Sequence, residues 1–368
     1  MRFLRAVVTM ISSILGLGIL GLPYVFGQAG YGVSLLQLLC LGVLMGCIFV
    51  MYGRITQQVR GHHRFVGYMN IFLGAQGKNV ATASFLISMF GGLLPFLILS
   101  GTFVEGLFGI DPFFGSLVMW AIGAALIYRG MQSVSRLEVF VIGLLVLLYL
   151  TLIFFSLGNF DASNLVFARG GDWGLLRPLG VILFALGGMG AIPEMHDILG
   201  RNGKGIGHVI WLGMAIILSL YALFPLAVVG ALGSGATEQT LNDLASILPP
   251  QIAFLGFVIG SISALSIFTM IGSELMQTIR IDFRLSKGQA WGLTVGLPLL
   301  AFLLGVRQLT AVMGFFGSLF GATVGLLVVL AYKRSAQPRG FPNWLCNLIA
   351  TILVLGAAVE IGYTFTIL

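Results

Sequence analysis

Residues 12–23 read SSILGLGILGLP, and residues 184–194 read FALGGMGAIPE. Each stretch lies inside an apolar segment long enough to cross a bilayer, and each is interrupted by clustered glycines that are followed by a proline. Glycine in a helix interior costs about 0.5–1 kcal/mol relative to alanine. In lipid, freed backbone groups are tolerated only where they line a protected cavity. Two broken spans at corresponding places in two halves of a chain therefore indicate a transport site near the middle of the membrane.

The composition is that of a polytopic membrane protein. Hydrophobic residues make up 58% of the 368 residues and charged residues 8%, whereas soluble domains carry about 25% charged residues. With about 20 apolar residues per span, the sequence predicts an all-α fold of eleven transmembrane helices, here called spans 1–11. They cover about residues 5–28, 31–54, 80–108, 112–128, 137–157, 176–199, 206–232, 251–279, 289–305, 309–331 and 343–366. The glycine clusters fall in spans 1 and 6.

The basic residues predict the orientation of the chain. With the N-terminus in the cytoplasm, all of the 19 lysines and arginines except Arg169, Arg177 and Arg307 fall on the cytoplasmic side. This asymmetry follows the positive-inside rule. An odd number of spans then places the C-terminus outside. The net charge of +7 is thus a signal of topology, and it does not indicate a surface for nucleic acid.

The spacing of the two breaks predicts an internal repeat. The second break lies five spans after the first. Residues 1–157 and 176–331 are therefore expected to form two five-helix repeats of opposite orientation, with residues 343–366 as an additional helix. The whole chain, 1–368, is expected to be a single transport domain in contact with membrane lipid. Between spans 7 and 8, residues 233–250 turn amphipathic, which fits either a short helix over an outer vestibule or a plain connector.

The chemistry of a broken helix suits a zwitterion. The start of its second half exposes N–H groups that attract a carboxylate, and the end of its first half exposes carbonyls that attract an ammonium. The expected carboxylate donors are the amides of Gly16, Leu17 and Gly18, and the expected amine acceptors are the carbonyls of Ser12, Ser13, Ala185 and Leu186. Gly187 and Gly188 are expected to open the second break. The alternative is that these glycines only allow close helix packing.

Two hypotheses concern the coupling ion. Hydroxyls of Ser263, Ser266 and Thr269 on span 8, with the carbonyls of Ser12 and Leu15, could coordinate Na⁺; the alternative is that they bond back to their own helix. Glu194, four residues after the second break, is the candidate proton carrier, because acids inside membranes are functional hypotheses by default. No catalytic constellation, phosphate loop or metal-ligand spacing occurs in the sequence. We therefore expect neither an enzyme nor a cofactor.

Three motifs carry a family resemblance. Residues 16–24 followed by 28–30 resemble helix 1 of the amino acid/auxin permease family, residues 184–195 resemble its helix 6, and residues 221–230 resemble its helix 7. That family belongs to the amino acid–polyamine–organocation superfamily. The resemblance implies the leucine-transporter fold, with eleven spans and helices 1 and 6 broken.

The expected function is amino acid transport by alternating access across the cytoplasmic, inner membrane. The substrate is expected to be a neutral amino acid, because no charged residue lies at midplane depth, and to be symported with H⁺ or Na⁺. Phe90, Phe315, Phe316 and Phe320 are candidates for an apolar side-chain pocket. The alternative substrate is a polyamine or a cationic amino acid. Such a substrate would require an acidic residue in the membrane interior, and Glu194 is the candidate.

Overall fold

The computed structural model describes residues 2–59, 61, 63–130, 135–169, 174–200, 205–335 and 340–367. All of the regular structure in these residues is helical. The α-helices are α1 (Arg2–Ile14), α2 (Leu22–Ala29), α3 (Tyr31–Thr56), α4 (Phe65–Phe108), α5 (Pro112–Arg129), α6 (Ser135–Leu157), α7 (Pro178–Ala185), α8 (Ala191–Leu199), α9 (Ile206–Leu232), α10 (Thr240–Ala245), α11 (Pro250–Asp282), α12 (Lys287–Leu303), α13 (Leu309–Arg334) and α14 (Asn343–Ile367).

These helices follow the predicted spans closely, although length and apolarity do not confirm the full count. Seven helices within the described residues are long and apolar enough to cross a membrane, and the bent pair Arg2–Ile14 and Leu17–Ala29 makes up to eight. Span 6 is divided between the short helices α7 and α8, and α12 has 17 residues. The number eleven and the division into two inverted repeats stay predictions.

The polar segment between predicted spans 2 and 3 is partly helical. Helix α4 begins at Phe65, and a kink at Gly74, whose φ is +72°, separates a short first helix from the long apolar span. The reason is an amphipathic pattern within this polar segment: Tyr68 and Met69 are buried. The Tyr68 ring packs edge-on against Tyr52 of α3, with the ring centroids 5.7 Å apart.

The segment between α9 and α11 forms a helix rather than a plain connector. Leu241 and Leu244 of α10 are buried, and three polar contacts fix this cap to different parts of the bundle. Thr240 donates to the Leu20 carbonyl at 2.7 Å, and Asn242 donates to Glu105 of α4 at 3.0 Å. The Glu238 carboxylate accepts from the Leu309 backbone N–H at 2.8 Å and from the Thr310 hydroxyl.

The helices pack as two groups. In one, α1, α2, α3, α7, α8 and α9 contact one another; in the other, α4, α5, α11 and α12 do. Helix α13 packs on α7 and on α4, and α6 packs on both α9 and α11. The broken helices thus belong to one group and face the other.

Candidate functional site

The first break lies between α1 and α2. Helix α1 ends at Ile14, Gly16 is extended with φ −138° and ψ −162°, and a 3₁₀ turn covers Leu17–Gly21 before α2 begins. The two halves of the span meet at an angle of 46°. The predicted unwinding of span 1 is confirmed, and it places the first N–H groups of the second half, which have no intrahelical acceptor, at Gly16–Gly18.

The second break lies between α7 and α8. Helix α7 ends at Ala185, the Gly187 N–H closes a last tight turn on the Phe184 carbonyl at 3.0 Å, and α8 begins at Ala191. Residues 187–190 are not helical. The predicted unwinding of span 6 near Leu186–Gly190 is therefore confirmed as well.

The two breaks touch each other. Ser13 donates to the Gly188 carbonyl at 3.4 Å. A Cβ atom added to Gly18 would lie 3.4 Å from Ala185 Cα, and one added to Gly188 would lie 2.3 Å from Ile14 Cγ1. Backbone from residues far apart in sequence thus meets with no space for a side chain at Gly188.

Gly188→Ala is expected to destabilise the protein by about 1–3 kcal/mol, because the new methyl group overlaps Ile14 and overpacking carries that cost. The thermal unfolding midpoint of the purified protein measures this. Ile14→Ala relieves the overlap but leaves a cavity of its own, so the double variant with Gly188→Ala should lose less stability than the sum of the two single losses. A single variant as stable as the parent would contradict the packing.

Gly16 is different, because a side chain there would begin without a clash. The nearest atom to a Cβ added at Gly16 is Ile267 Cδ1 of α11, at an ordinary contact distance of 3.8 Å. Its extended backbone is open to any residue, so neither strain nor close packing requires glycine there. Close packing therefore requires glycine at Gly188 and does not require it at Gly16, whose backbone is partly exposed.

Two tyrosines that the sequence reasoning did not single out for the site hold the breaks. Tyr221 of α9, fully buried, lies with its hydroxyl 2.9 Å from the Ile14 carbonyl and 3.0 Å from the Ala185 carbonyl. Tyr149 of α6, also fully buried, donates to the Gly16 carbonyl at 3.0 Å. The available signal was a tyrosine in the middle of an apolar span, since a buried tyrosine hydroxyl requires a partner.

The hydroxyls predicted on span 8 lie on α11. Ser263 is fully buried, and its hydroxyl has no hydrogen-bond partner within the described residues. Thr269 donates to the Leu265 carbonyl of its own helix at 2.7 Å, as the alternative interpretation of these hydroxyls proposed. The α11 residue that contacts Gly16 is the apolar Ile267. Ser266 is half-buried.

The acidic residues lie away from the middle of the breaks. Glu194 is in the first turn of α8 and is exposed; this position near a helix N-terminus favours a negative charge. Glu274 of α11 forms an ion pair of 2.6 Å with Arg64, which immediately precedes α4. Among the described residues, no group of three potential metal ligands occurs.

The predicted aromatic pocket is only partly assembled. Phe316 and Phe320 line a cavity of about 70 Å³ between α13 and α4, together with Ser84 and Ser88. Phe316 also fits against Gly91, where no side chain has room.

Comparison with known proteins agrees with this geometry. The family model described as "Transmembrane amino acid transporter protein" matches residues 1–359. The chain belongs to this family. The resemblance seen in the glycine-rich motifs is confirmed across nearly the whole chain.

Named relatives of the chain are transport proteins. The chain is 23% identical to "Tyrosine-specific transport system 1" of Haemophilus influenzae over 94% of its own length and 92% of that protein. It is 24% identical to "Vacuolar amino acid transporter 7" of Saccharomyces cerevisiae, over 72% of its own length and 56% of the yeast protein.

A solved structure shows the same fold. MhsT, crystallised in complex with L-phenylalanine, superposes with a TM-score of 0.70 at 16% identity and covers 97% of each chain. The family member described here therefore has a leucine-transporter-like fold.

Proposed function

We propose that this protein is a secondary active transporter that carries a neutral amino acid across the cytoplasmic membrane by alternating access. The observation that carries the proposal is the pair of facing breaks, with backbone at Gly16 that is partly exposed and not closely packed. N–H groups without an intrahelical acceptor at Gly16–Gly18 suit a carboxylate, and carbonyls at the ends of the first halves suit an ammonium. The carbonyls proposed for the ammonium are those of Ser12, Ser13, Ala185 and Leu186. An amino acid presents both charges a few ångströms apart.

The substrate we favour has an aromatic or hydrophobic side chain. One of the relatives named above is a tyrosine-specific transport system by its name. The walls near the breaks contain Ile267 and Phe184, which are apolar. A polyamine or cationic amino acid is the less favoured substrate, because the acid nearest the second break, Glu194, is exposed in the first turn of α8.

We propose the proton as the coupling ion, with Glu194 as its carrier, and an N-terminus on the cytoplasmic side. Ser12, Leu15, Ser263, Ser266 and Thr269 remain the rival Na⁺ ligands. Two observations weigh against Na⁺: Thr269 donates within its own helix, and Ile267 lies next to Gly16. The buried hydroxyl of Ser263, which has no hydrogen-bond partner within the described residues, is the observation that favours Na⁺.

Uptake into proteoliposomes tests the function. Labelled tyrosine, phenylalanine, leucine, lysine and spermidine are compared, with pH and Na⁺ gradients imposed separately. We expect uptake of tyrosine, phenylalanine or leucine that follows the pH gradient. Transport of lysine or spermidine alone would overturn the assigned substrate class, and absence of uptake of all five would overturn the function.

A further inference from the structure

Three backbone carbonyls at the breaks point away from regular helix hydrogen bonding. Ile14 and Ala185 are the last residues of α1 and α7, and Gly16 lies in the extended link after α1. The C-terminal end of a helix carries about half a negative elementary charge. At membrane depth such oxygens must be met by a donor or a cation, because unsatisfied groups there cost several kcal/mol each.

All three oxygens lie within hydrogen-bond distance of a neutral hydroxyl. Tyr221 has one hydroxyl proton, which is shared between the Ile14 and Ala185 carbonyls, and Tyr149 donates to the Gly16 carbonyl. The two tyrosines are joined by Phe224, one turn after Tyr221 on α9, whose ring centroid lies 5.6 Å from that of Tyr149. Both tyrosines are fully buried, and the ring contact packs Tyr149 of α6 against α9.

The Tyr149 contact also orients an amide. A trans peptide is planar, and its C=O and N–H point in opposite directions. With the Gly16 carbonyl held on Tyr149, the N–H of Leu17 faces away from Tyr149. Tyr149 is therefore a positioning residue for one of the amides assigned to the substrate carboxylate.

The opposite wall contains a buried hydroxyl near an apolar side chain. The α11 side chain beside Gly16 is Ile267, and Ser263, one turn before it, has a buried hydroxyl with no hydrogen-bond partner within the described residues. A hard cation requires several converging oxygen ligands, so the Gly16 carbonyl would have to be among them. The Gly16 carbonyl already accepts a hydrogen bond of 3.0 Å.

We propose that the hydroxyls of Tyr149 and Tyr221 take the place of a bound cation at the paired breaks, and hold the substrate site in shape without Na⁺. This inference rests on the proposed function only in assigning the breaks to the substrate. The breaks of the unmodified protein are then expected not to bind Na⁺. Removal of the Tyr149 hydroxyl should leave the Gly16 carbonyl free to coordinate a Na⁺ ion.

Thermal unfolding of the purified, substrate-free protein tests this in NaCl and in KCl at equal ionic strength. A ligand that binds only the folded state raises the unfolding midpoint. We expect equal midpoints in the two salts for the unmodified protein. Tyr149→Phe should unfold at a lower temperature in KCl, and NaCl should raise its midpoint by about 2 °C or more.

Tyr52→Phe is the matched control, because Tyr52 is a fully buried tyrosine whose hydroxyl has no hydrogen-bond partner in the described part of the chain. It should behave like the parent in both salts. A Na⁺-selective rise in the unmodified protein would overturn the inference. So would a Tyr149→Phe protein that is destabilised but indifferent to Na⁺, since Tyr149 would then be only structural.

Two further measurements keep the outcomes separate. If Tyr149→Phe does not fold, Tyr221→Phe is examined in the same way with the same expectations, and the comparison of salts on the unmodified protein stands by itself. Binding of labelled tyrosine, phenylalanine and leucine is then measured in KCl and in NaCl. Absence of binding in both salts contradicts the proposed function, whereas binding that requires Na⁺ contradicts the cation-free breaks.

Discussion

Replacing Gly16 by leucine is expected to abolish amino acid uptake while the protein still folds and inserts. The Cβ fits, because its nearest neighbour would be Ile267 Cδ1 at 3.8 Å, and the extended backbone of Gly16 accepts any residue. The branched remainder then fills the space in front of the amides of Leu17 and Gly18. A group that blocks a carboxylate site removes charge-assisted hydrogen bonds worth about 1.5–3 kcal/mol each.

Binding and uptake of labelled tyrosine, phenylalanine and leucine, with a size-exclusion profile of the variant, measure this effect. Gly143→Leu is the matched control, because Gly143 is an exposed glycine of α6 with no atom within 4 Å of an added Cβ. The control should bind and transport like the parent. A Gly16→Leu protein with normal uptake would show that the substrate does not approach this backbone.

Replacing Glu194 by glutamine is expected to abolish accumulation driven by a pH gradient. With one proton per substrate, a gradient of about one pH unit supports about tenfold accumulation, and a variant without a titratable group should not exceed equal concentrations. The Glu194 side chain is exposed in the first turn of α8, so its carboxyl is not enclosed by the protein. Binding at equilibrium should persist, because the substrate contacts assigned above are backbone groups.

Asp197→Asn provides the control, since Asp197 is an exposed acid of the same helix three residues further on; it should leave accumulation intact. Full gradient-driven accumulation by Glu194→Gln would refute proton coupling through this residue. Uptake that follows Na⁺ at constant pH, and that is lost in Ser266→Ala or Thr269→Ala, would instead favour the sodium hypothesis.

Local sequence features were sufficient to predict the two helix breaks. Clustered glycines weaken a helix wherever they stand, so both interruptions could be predicted without knowledge of the neighbours. The ends of most helices followed from the same reasoning, because long apolar runs have few alternatives in lipid. The start of α4 was missed, because its amphipathic first turns lie in a segment with several basic residues, where Phe65 and Tyr68 contact Tyr52 of α3.

The partners of the breaks could not be predicted in this way. The contact from Tyr149 joins residues 133 positions apart, and that from Tyr221 to Ile14 joins residues 207 apart. Which carbonyl a hydroxyl meets depends on how the spans pack, and hydrophobic periodicity does not specify that packing. For the same reason, the distinct surroundings of Gly16 and Gly188 became visible only in three dimensions, although both glycines look alike in sequence.

The cap formed by α10 affects how often the protein adopts a conformation that is open at this end of the bundle. Thr240, Asn242 and Glu238 fasten it to the Leu20 carbonyl, to α4 and to the start of α13. A state in which the cap moves away from all three partners loses these contacts together. At about 0.5–1.5 kcal/mol for each hydrogen bond, three bonds lower the population of that state by a factor of about ten to two thousand. The empty protein should therefore spend little time open on the side of the cap.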